Sequence, residues 1–212
     1  MRFVTLFRKN CAVVLAALAA MLLATAPAQA AKWYIDNALG DVKAEEKVTP
    51  ATPAPVQILY EFQRDGTPHP KATKQTKQWV LDALKATGDF SEIVETPVAN
   101  GAVLSIKFNN VVKKEDLDQA KKDGFKAGLG FGLFGGVVAT DHYFVNFEYL
   151  AANGAAPIKT EVHHALHMKF GKKEVEIPGT EVKNVTAAVQ GVVNQAIARG
   201  TNTIVSDPAF PK

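Results

Sequence analysis

Alternating apolar and polar residues predict the strands of this chain. The clearest stretch begins at Val56, where every second residue through Phe62 is apolar and the residues between them are mostly polar. This pattern is typical of a strand with one buried face. The same alternation predicts strands at 90–95 and 102–112 and a long hairpin formed by 141–150 and 158–170.

Two other stretches show the helical spacing of apolar residues. The first runs from about Thr73 to Thr87, with Gly88 as its expected C-terminal stop, and the second runs from Val182 to Gly200. The order β-α-β-β-β-β-α predicts an α+β fold. We expect a two-layer sandwich with a mostly antiparallel sheet of about five strands, two helices on one face, and a glycine-rich arm or hairpin.

The composition changes near residue 56. Residues 31–55 end in Pro50, Pro53 and Pro55, which is typical of an extended linker. They begin with the aromatic sequence "WYI" at 33–35, which we expect to dock on its own domain because aromatic side chains tend to be buried. We therefore predict a flexible N-terminal arm over 31–55 and a single α+β domain over 56–212.

Residues 1–30 have the pattern of a secretory signal peptide. Basic residues precede an apolar run from Cys11 to Ala24, and the small residues Ala28 and Ala30 suit signal peptidase. The apolar run is about 14 residues, shorter than the roughly 20 that a membrane-spanning helix needs. We expect cleavage after Ala30 and a periplasmic protein that is soluble or peripheral to the outer membrane.

Removal of this segment changes the charge and the cysteine content. The chain has 24 Lys and Arg against 21 Asp and Glu, and Arg2, Arg8 and Lys9 lie in the segment. The mature chain is therefore close to neutral, and a basic balance that would favour nucleic acid disappears. Cys11 is the single cysteine and would leave as well, so the mature chain can form no internal disulfide.

Residues 124–139 form a glycine-rich apolar segment, "GFKAGLGFGLFGGVVA". Glycines recur at every fourth position, which in a helix would make a smooth stripe for the close approach of another backbone. Most glycines also fall on even positions and the large apolar residues mostly on odd ones, which fits a strand. Helix and strand both remain open. We predict that the segment contacts a partner through Gly124, Gly128, Gly132, Gly136, Leu129, Phe131, Leu133 and Phe134.

The same segment contains a dinucleotide-binding fingerprint in the wrong context. Gly130, Gly132 and Gly135 match G-x-G-x-x-G. A cofactor loop of this kind needs a buried strand before it and a helix after it. The preceding "QAKKDGFK" is too charged for a buried strand, and the following "VVATDHYFVNF" has a strand pattern. We therefore expect no nucleotide and no other cofactor.

Histidines form the one cluster with metal-binding or catalytic character. His163, His164 and His167 lie on one predicted strand, and His142 lies on its neighbour. In a strand, His163 and His167 are about 13 Å apart at roughly 3.3 Å per residue, too far to share a metal. His142 and His167 could meet across the hairpin and are the candidate ligands, but no third ligand accompanies them. With no cysteine and no G-x-S-x-G motif in 31–212, we predict no catalytic residue.

Three stretches carry a resemblance to known proteins: "LYEFQRDGTPHPKATKQ", "FKAGLGFGLFGGVVATDHYFVNFEY" and the C-terminal "DPAF". They resemble a group of small proteobacterial periplasmic and envelope proteins of unassigned function. The shared marks are EFQ-x-x-G-x-P, the glycine segment followed by D-x-Y, and D-P-A-F. The chain is more distantly similar to auxiliary lipoproteins of envelope transport, but it lacks their lipidated cysteine. The resemblance implies a compartment and a style of fold, and it supplies no catalytic residues.

Three functional hypotheses follow. The first is a non-enzymatic periplasmic accessory protein that supports envelope assembly or transport. Its partner would be an envelope protein, the outer-membrane surface or a second copy of the chain bound through the glycine-rich segment. The second is a carrier of a small apolar ligand or lipid, held between sheet and helices near Phe62, Trp79 and Phe147. The third is a histidine-based metal-binding protein.

Overall fold

The computed structural model describes residues 31–99, 101–111, 137–171 and 174–211. The predicted signal peptide, 1–30, lies outside these ranges, and so does the glycine-rich segment up to residue 136. The predicted interaction residues therefore lie outside the described residues: Gly124, Gly128, Gly132, Gly136, Leu129, Phe131, Leu133 and Phe134. The last residues of the predicted segment, 137–139, begin a strand.

The described residues form strands and helices in a mixed order. The strands are β1 (Lys32–Asp36), β2 (Val56–Arg64), β3 (Thr67–Pro68), β4 (Ile93–Val94), β5 (Ala102–Val111), β6 (Val137–Leu150), β7 (Ile158–Phe170) and β8 (Gly179–Val182). The helices are α1 (Pro70–Thr87), between β3 and β4, and α2 (Val185–Ser206), after β8.

All eight described strands belong to one sheet, in the order β3-β2-β5-β6-β7-β1-β8, with β4 paired to β2. Pairing is antiparallel except where β2 lies parallel to β4 and β5. The α+β class and the mostly antiparallel sheet are confirmed. The expected number of about five strands is wrong, because β1, β3 and β8 are too short to show a clear alternation in the sequence.

Strand β1 lies within the segment that we expected to be a flexible arm. It pairs with β7 on one side and β8 on the other. Its Trp33 and Ile35 pack against the core, so the "WYI" cluster does dock on its own domain. The domain therefore begins before Val56, because a strand inside the sheet cannot be part of a flexible linker.

Local signals account for the ends of both helices. At the start of α1, the His69 side chain accepts a hydrogen bond from the backbone N–H of Ala72, and Pro70 occupies the first turn. Gly88 ends α1 with φ of 75°, in the left-handed conformation that glycine adopts most easily. Asn184 caps α2 through the N–H of Ala187. The second helix therefore starts later than the predicted Val182, which lies in β8, and continues past Gly200.

Both helices contact the same face of the sheet. The core lies between this face and the helices. The strand register places Phe62, Phe108, Val145 and Val162 in a row across β2, β5, β6 and β7. All of these side chains are buried. The opposite face carries polar residues such as Lys107, Asn146 and Glu161. No helix among the described residues is long and apolar enough to cross a membrane.

Helix α2 approaches the sheet closely at Gly200. A Cβ atom placed there would lie 2.3 Å from ring carbons of Phe147, which is closer than any contact between such atoms allows. Phe147 lies in the central strand β6 and is 2% exposed. Glycine at this position lowers the helix propensity, but it lets the helix backbone contact the aromatic ring.

Substitution of Gly200 by alanine should destabilise the fold. Alanine normally stabilises a helix interior relative to glycine by about 1 kcal/mol. Here the added methyl group must displace the buried Phe147 ring, and overpacking of this kind costs about 1–3 kcal/mol. We expect Gly200→Ala to lower the free energy of unfolding by up to about 2 kcal/mol in urea denaturation.

Gly191 provides the matched control on the same helix. A Cβ at Gly191 would meet the flexible end of Ile35, with Cδ1 at 2.2 Å, which can rotate away. We expect Gly191→Ala to be close to neutral. Equal effects of the two substitutions would show that the Phe147 ring does not fix the position of the helix.

Candidate functional site

A cavity of about 410 Å³ lies between helices α1 and α2. The two helices pack against each other above the sheet. Helix α1, the short segment after it, helix α2 and the segment after β1 all contribute to its lining. The lining residues are Asp41, Val42, Lys47, Trp79, Asp82, Ala83, Ala86, Thr87, Asp89, Gln190, Asn194, Ala198 and Asn202.

Helical spacing explains why these residues face one space. On α2 the lining positions recur at every fourth residue from Gln190 to Asn202, which places them along one side of the helix. On α1 they run from Trp79 through Ala86 at intervals of three or four. Small side chains at Ala83, Ala86 and Ala198 keep the helices from filling the space between them.

The segment after β1 forms the third wall of the cavity. It contributes Asp41, Val42 and Lys47. The guanidinium of Arg199 donates to the backbone carbonyl of Asp41 at 2.8 Å and also binds the carboxylate of Glu46. Asn202 accepts from the N–H of Val48 at 2.8 Å and donates to the carbonyl of Glu46 at 3.0 Å. Two α2 residues therefore hold this wall against the helix.

Asp89 is the most unusual residue of the lining. It is 2% exposed, and its Oδ1 has no hydrogen-bond partner among the described residues. Burial raises the pKa of this carboxyl, and the neighbouring hydroxyls of Thr87 and Thr201 and the charge of Lys47 lower it only in part. A buried acceptor without a donor costs free energy, so a donor that reaches Asp89 would stabilise the folded protein.

The threonine hydroxyls are already engaged elsewhere. Thr87 donates to the carbonyl of Leu84 at 2.8 Å, and Thr201 donates to that of Ile197 at 2.8 Å. Each hydroxyl has one proton to donate. These residues therefore bind Asp89 only at the expense of their bonds to the helix backbone.

Charged groups of the lining are mainly acidic. Asp41, Asp82 and Asp89 are carboxylates, and Lys47 is the single cation among the lining residues. Asp41, Lys47 and Asp82 are exposed and mark the mouth of the cavity, whereas Asp89 is buried. Trp79 is half-buried and adds an aromatic surface.

Of the three residues predicted to hold an apolar ligand, the structure brings one to this cavity. Trp79 lines it. Phe62 and Phe147 lie instead in the core, where they are 8% and 2% exposed. Helix α2 packs directly on the Phe147 ring, and the Phe62 ring stacks on Phe108 in the core, so the space for a ligand lies between the helices and not between helices and sheet.

The histidines are distributed over both faces of the sheet. His164 faces α2, where its Nε2 and the side chain of Gln195 are 2.8 Å apart, and burial lowers its pKa. His163 lies on the opposite face beside Glu161. His142 and His167 also lie on that face, opposite Ala165 and Thr140 respectively.

His167, a candidate metal ligand, instead makes hydrogen bonds that connect three strands. Its Nδ1 is 2.9 Å from the hydroxyl of Thr140 in β6, and its Nε2 is 2.9 Å from the carboxylate of Asp36 in β1. These bonds attach β1 to the hairpin. The described residues contain no group of three or more His, Cys, Asp and Glu side chains that could hold a metal.

Sequence reasoning missed most of this cavity. Asp89 follows Gly88, and an acidic residue after a helix stop usually indicates a solvated turn. Its burial results from α2, which is far away in the sequence. The usable signal was the repeat Gln190, Asn194, Ala198, Asn202, a stripe of three amide side chains and one alanine on a helix whose other side is apolar.

No protein-family model and no curated protein matches the chain. Among solved structures it is similar to the dodecamer of a PelC point variant from Paraburkholderia phytofirmans, with 16% identity, a TM-score of 0.35, and coverage of 74% of this chain and 91% of the other. A PelC dodecamer from the same organism in another space group gives 13% identity, a TM-score of 0.33 and coverage of 82% and 94%.

A third similar structure is a protein described as a putative neuraminyllactose-binding hemagglutinin homologue from Helicobacter pylori. It has 10% identity and a TM-score of 0.35, and the match covers 77% of this chain and 86% of the other. Similarities at these identities and TM-scores do not bear on the function of this chain.

Replacement of Asp89 should change how stability depends on pH. A carboxyl whose pKa is raised by folding stabilises the folded state below its unfolded pKa, and this stabilisation is lost as pH rises through the folded pKa. We therefore expect Asp89→Asn to remove a fall in stability that begins near pH 4, about the pKa of an unfolded Asp, and that continues as pH rises through the raised pKa of the folded protein. At pH 7 the variant should be more stable by about 1–3 kcal/mol.

Urea denaturation of both proteins across this pH range checks the expectation. Asp82→Asn is the matched control, because Asp82 is an exposed carboxylate of the same cavity. This variant should keep the pH profile of the parent. An Asp89→Asn profile parallel to that of the parent would show that the buried carboxyl finds a partner in solution.

Proposed function

We propose that this protein is a non-enzymatic binding protein that holds a small molecule in the cavity between α1 and α2. The observation that carries the proposal is a space of about 410 Å³ into which a buried carboxyl group is built, with no partner for its Oδ1 among the described residues. A protein that needed only a stable core would gain by filling this space or by removing the carboxyl.

The size and lining of the cavity support this function. Sites for small molecules commonly have volumes of roughly 300–1,000 Å³ and combine apolar walls with a few convergent polar groups. Here Ala83, Ala86, Ala198 and Trp79 provide the apolar walls, while Asp89 and the amide side chains of α2 provide polar groups. Sites between helices are one of the recurring positions for such ligands.

This proposal corresponds to the carrier hypothesis from the sequence, with a different location and a more polar lining. The predicted signal peptide would place the protein in the periplasm, where it would bind its ligand. Binding without catalysis, as expected from the sequence, is part of this proposal.

Filling the cavity should abolish ligand retention. We expect native mass spectrometry of the protein purified from periplasm to show a bound small molecule. Ala198→Leu places a larger side chain into the space between the helices and should give the mass of the unliganded protein. Circular dichroism should show an unchanged fold, because Ala198 borders an existing cavity.

Lys85→Leu is the control for this experiment. Lys85 is exposed on α1 next to Ala86, but it does not line the cavity. The control variant should retain the ligand. A parent protein without any bound mass, or equal retention by Ala198→Leu, would contradict the proposed function.

A second candidate function is contact with a partner at the end of the β6–β7 hairpin. Strand β5 ends at Val111, opposite His142, whereas β6 and β7 continue to the pair Val137 and Phe170. Phe170 is 42% exposed there, and the predicted glycine-rich contact segment joins β6 at this end. This placement favours the accessory role expected from the sequence, with an envelope protein, the outer membrane or a second copy as the partner.

Photo-crosslinking in cells can test this contact. A photoreactive amino acid at Phe170 should form a specific crosslink to an envelope protein or to a second copy of the chain. Leu59 is the matched control, because it is a similarly exposed apolar residue, 49% exposed, on the distant strand β2. Crosslinks of the same pattern and yield from both positions would argue against a partner site at the hairpin end.

A further inference from the structure

The buried oxygen of Asp89 requires a hydrogen-bond donor that the described residues do not provide. Within that part of the chain, Asp89 Oδ1 has no partner. The terminal nitrogens of Arg199 bind Glu46 and the carbonyl of Asp41. Its buried Nε–H also has no partner among the described residues, but Arg199 does not line the cavity. Lys47 acts on Asp89 only through its charge. Because Asp89 lines the cavity, a molecule bound there can supply this donor.

The chemistry of the lining favours a donor with a positive charge. The cavity contains three carboxylates and one lysine, so it is negative when they are ionised. A hydrogen bond between a cation and a carboxylate is about twice as strong as one between neutral groups. Water or a hydroxyl group could also donate to Asp89, but neither would compensate for the buried charge.

Other lining residues can contact the N–H donors and the positive charge of an ammonium group. An ammonium group has three N–H donors, and Asp89 can use one or two of them. Gln190 and Asn194 also line the cavity, and an amide side chain has an oxygen that can accept another. The ring of Trp79 can contact a cation on its face, which adds a further attraction.

The cavity also has room for the organic body of a ligand. A cavity of about 410 Å³ is far larger than an ammonium group alone. The methyl groups of Ala83, Ala86 and Ala198 offer apolar contact to an alkyl chain or a ring. An aliphatic primary amine therefore matches both parts of the site.

We propose that the cavity binds a primary amine and that Asp89 is the residue that holds its ammonium group. This inference rests on the proposed function, because it names the class of ligand for the same cavity.

Trp79 makes the proposal directly measurable. The chain has two tryptophans, and Trp33 lies on β1, outside the cavity lining. In a Trp33→Phe background, the fluorescence of Trp79 reports on cavity occupancy. The protein is titrated with hexylamine and with hexanol, which have similar shapes and differ in charge at pH 7. Isothermal titration calorimetry provides an independent readout.

Hexylamine should bind at least about tenfold more tightly than hexanol, as expected for a hydrogen bond between charged groups. Asp89→Asn should weaken hexylamine binding by about ten- to a hundredfold and leave hexanol binding unchanged. Asp82→Asn should weaken hexylamine binding less, because Asp82 is exposed. Ala198→Leu should abolish binding of both probes.

The outcomes separate the two proposals. Equal affinities for hexylamine and hexanol, or an unchanged hexylamine affinity in Asp89→Asn, would overturn amine recognition and leave a general binding cavity. If neither probe changes the fluorescence of Trp79 or releases heat, the proposed function fails together with the inference. If Asp89→Asn does not fold, the comparison of the two probes in the parent protein still decides the question.

Discussion

The contact between Gly200 and the Phe147 ring determines how closely α2 lies on the sheet. Phe147 faces Ile106 of β5 and Thr160 of β7, so the contact fixes the helix above the centre of the sheet. Helix α1 packs on β2 and against α2. With both helices held by the sheet, alanines on their facing sides leave a space that neither helix can move to fill.

The cavity combines two features that each reduce stability. An unfilled space between helices loses packing contacts, and a buried carboxyl without a donor loses its hydration. Either defect alone could be accidental. Their coincidence at Asp89 supports the proposed binding site, because one bound molecule would offset both by filling space and donating a hydrogen bond.

The sequence predicted those parts of the fold that depend on local patterns. Helix α1, its stop at Gly88 and the long β6–β7 hairpin follow from periodicity and turn residues. Strand β1 was missed because it has five residues and pairs with strands more than 100 positions away. The buried state of Asp89 was missed for the same reason, since α2 closes over it from the other end of the chain. The local pattern correctly placed Trp79 in a helix. The cavity beside Trp79 could not be predicted, because it depends on how the two helices pack together.

The three walls of the cavity differ in how firmly they are held. Both helices are anchored by buried apolar side chains, whereas residues 41–48 are anchored to α2 by Arg199 and Asn202 through largely exposed groups. Exposed ion pairs contribute only about 0–1 kcal/mol, much less than the burial of a core side chain. Asn202 lines the cavity and also makes two hydrogen bonds to this segment. Residues 41–48 are therefore the wall that costs least to move, whereas the helices and the Phe147 contact are held by the core.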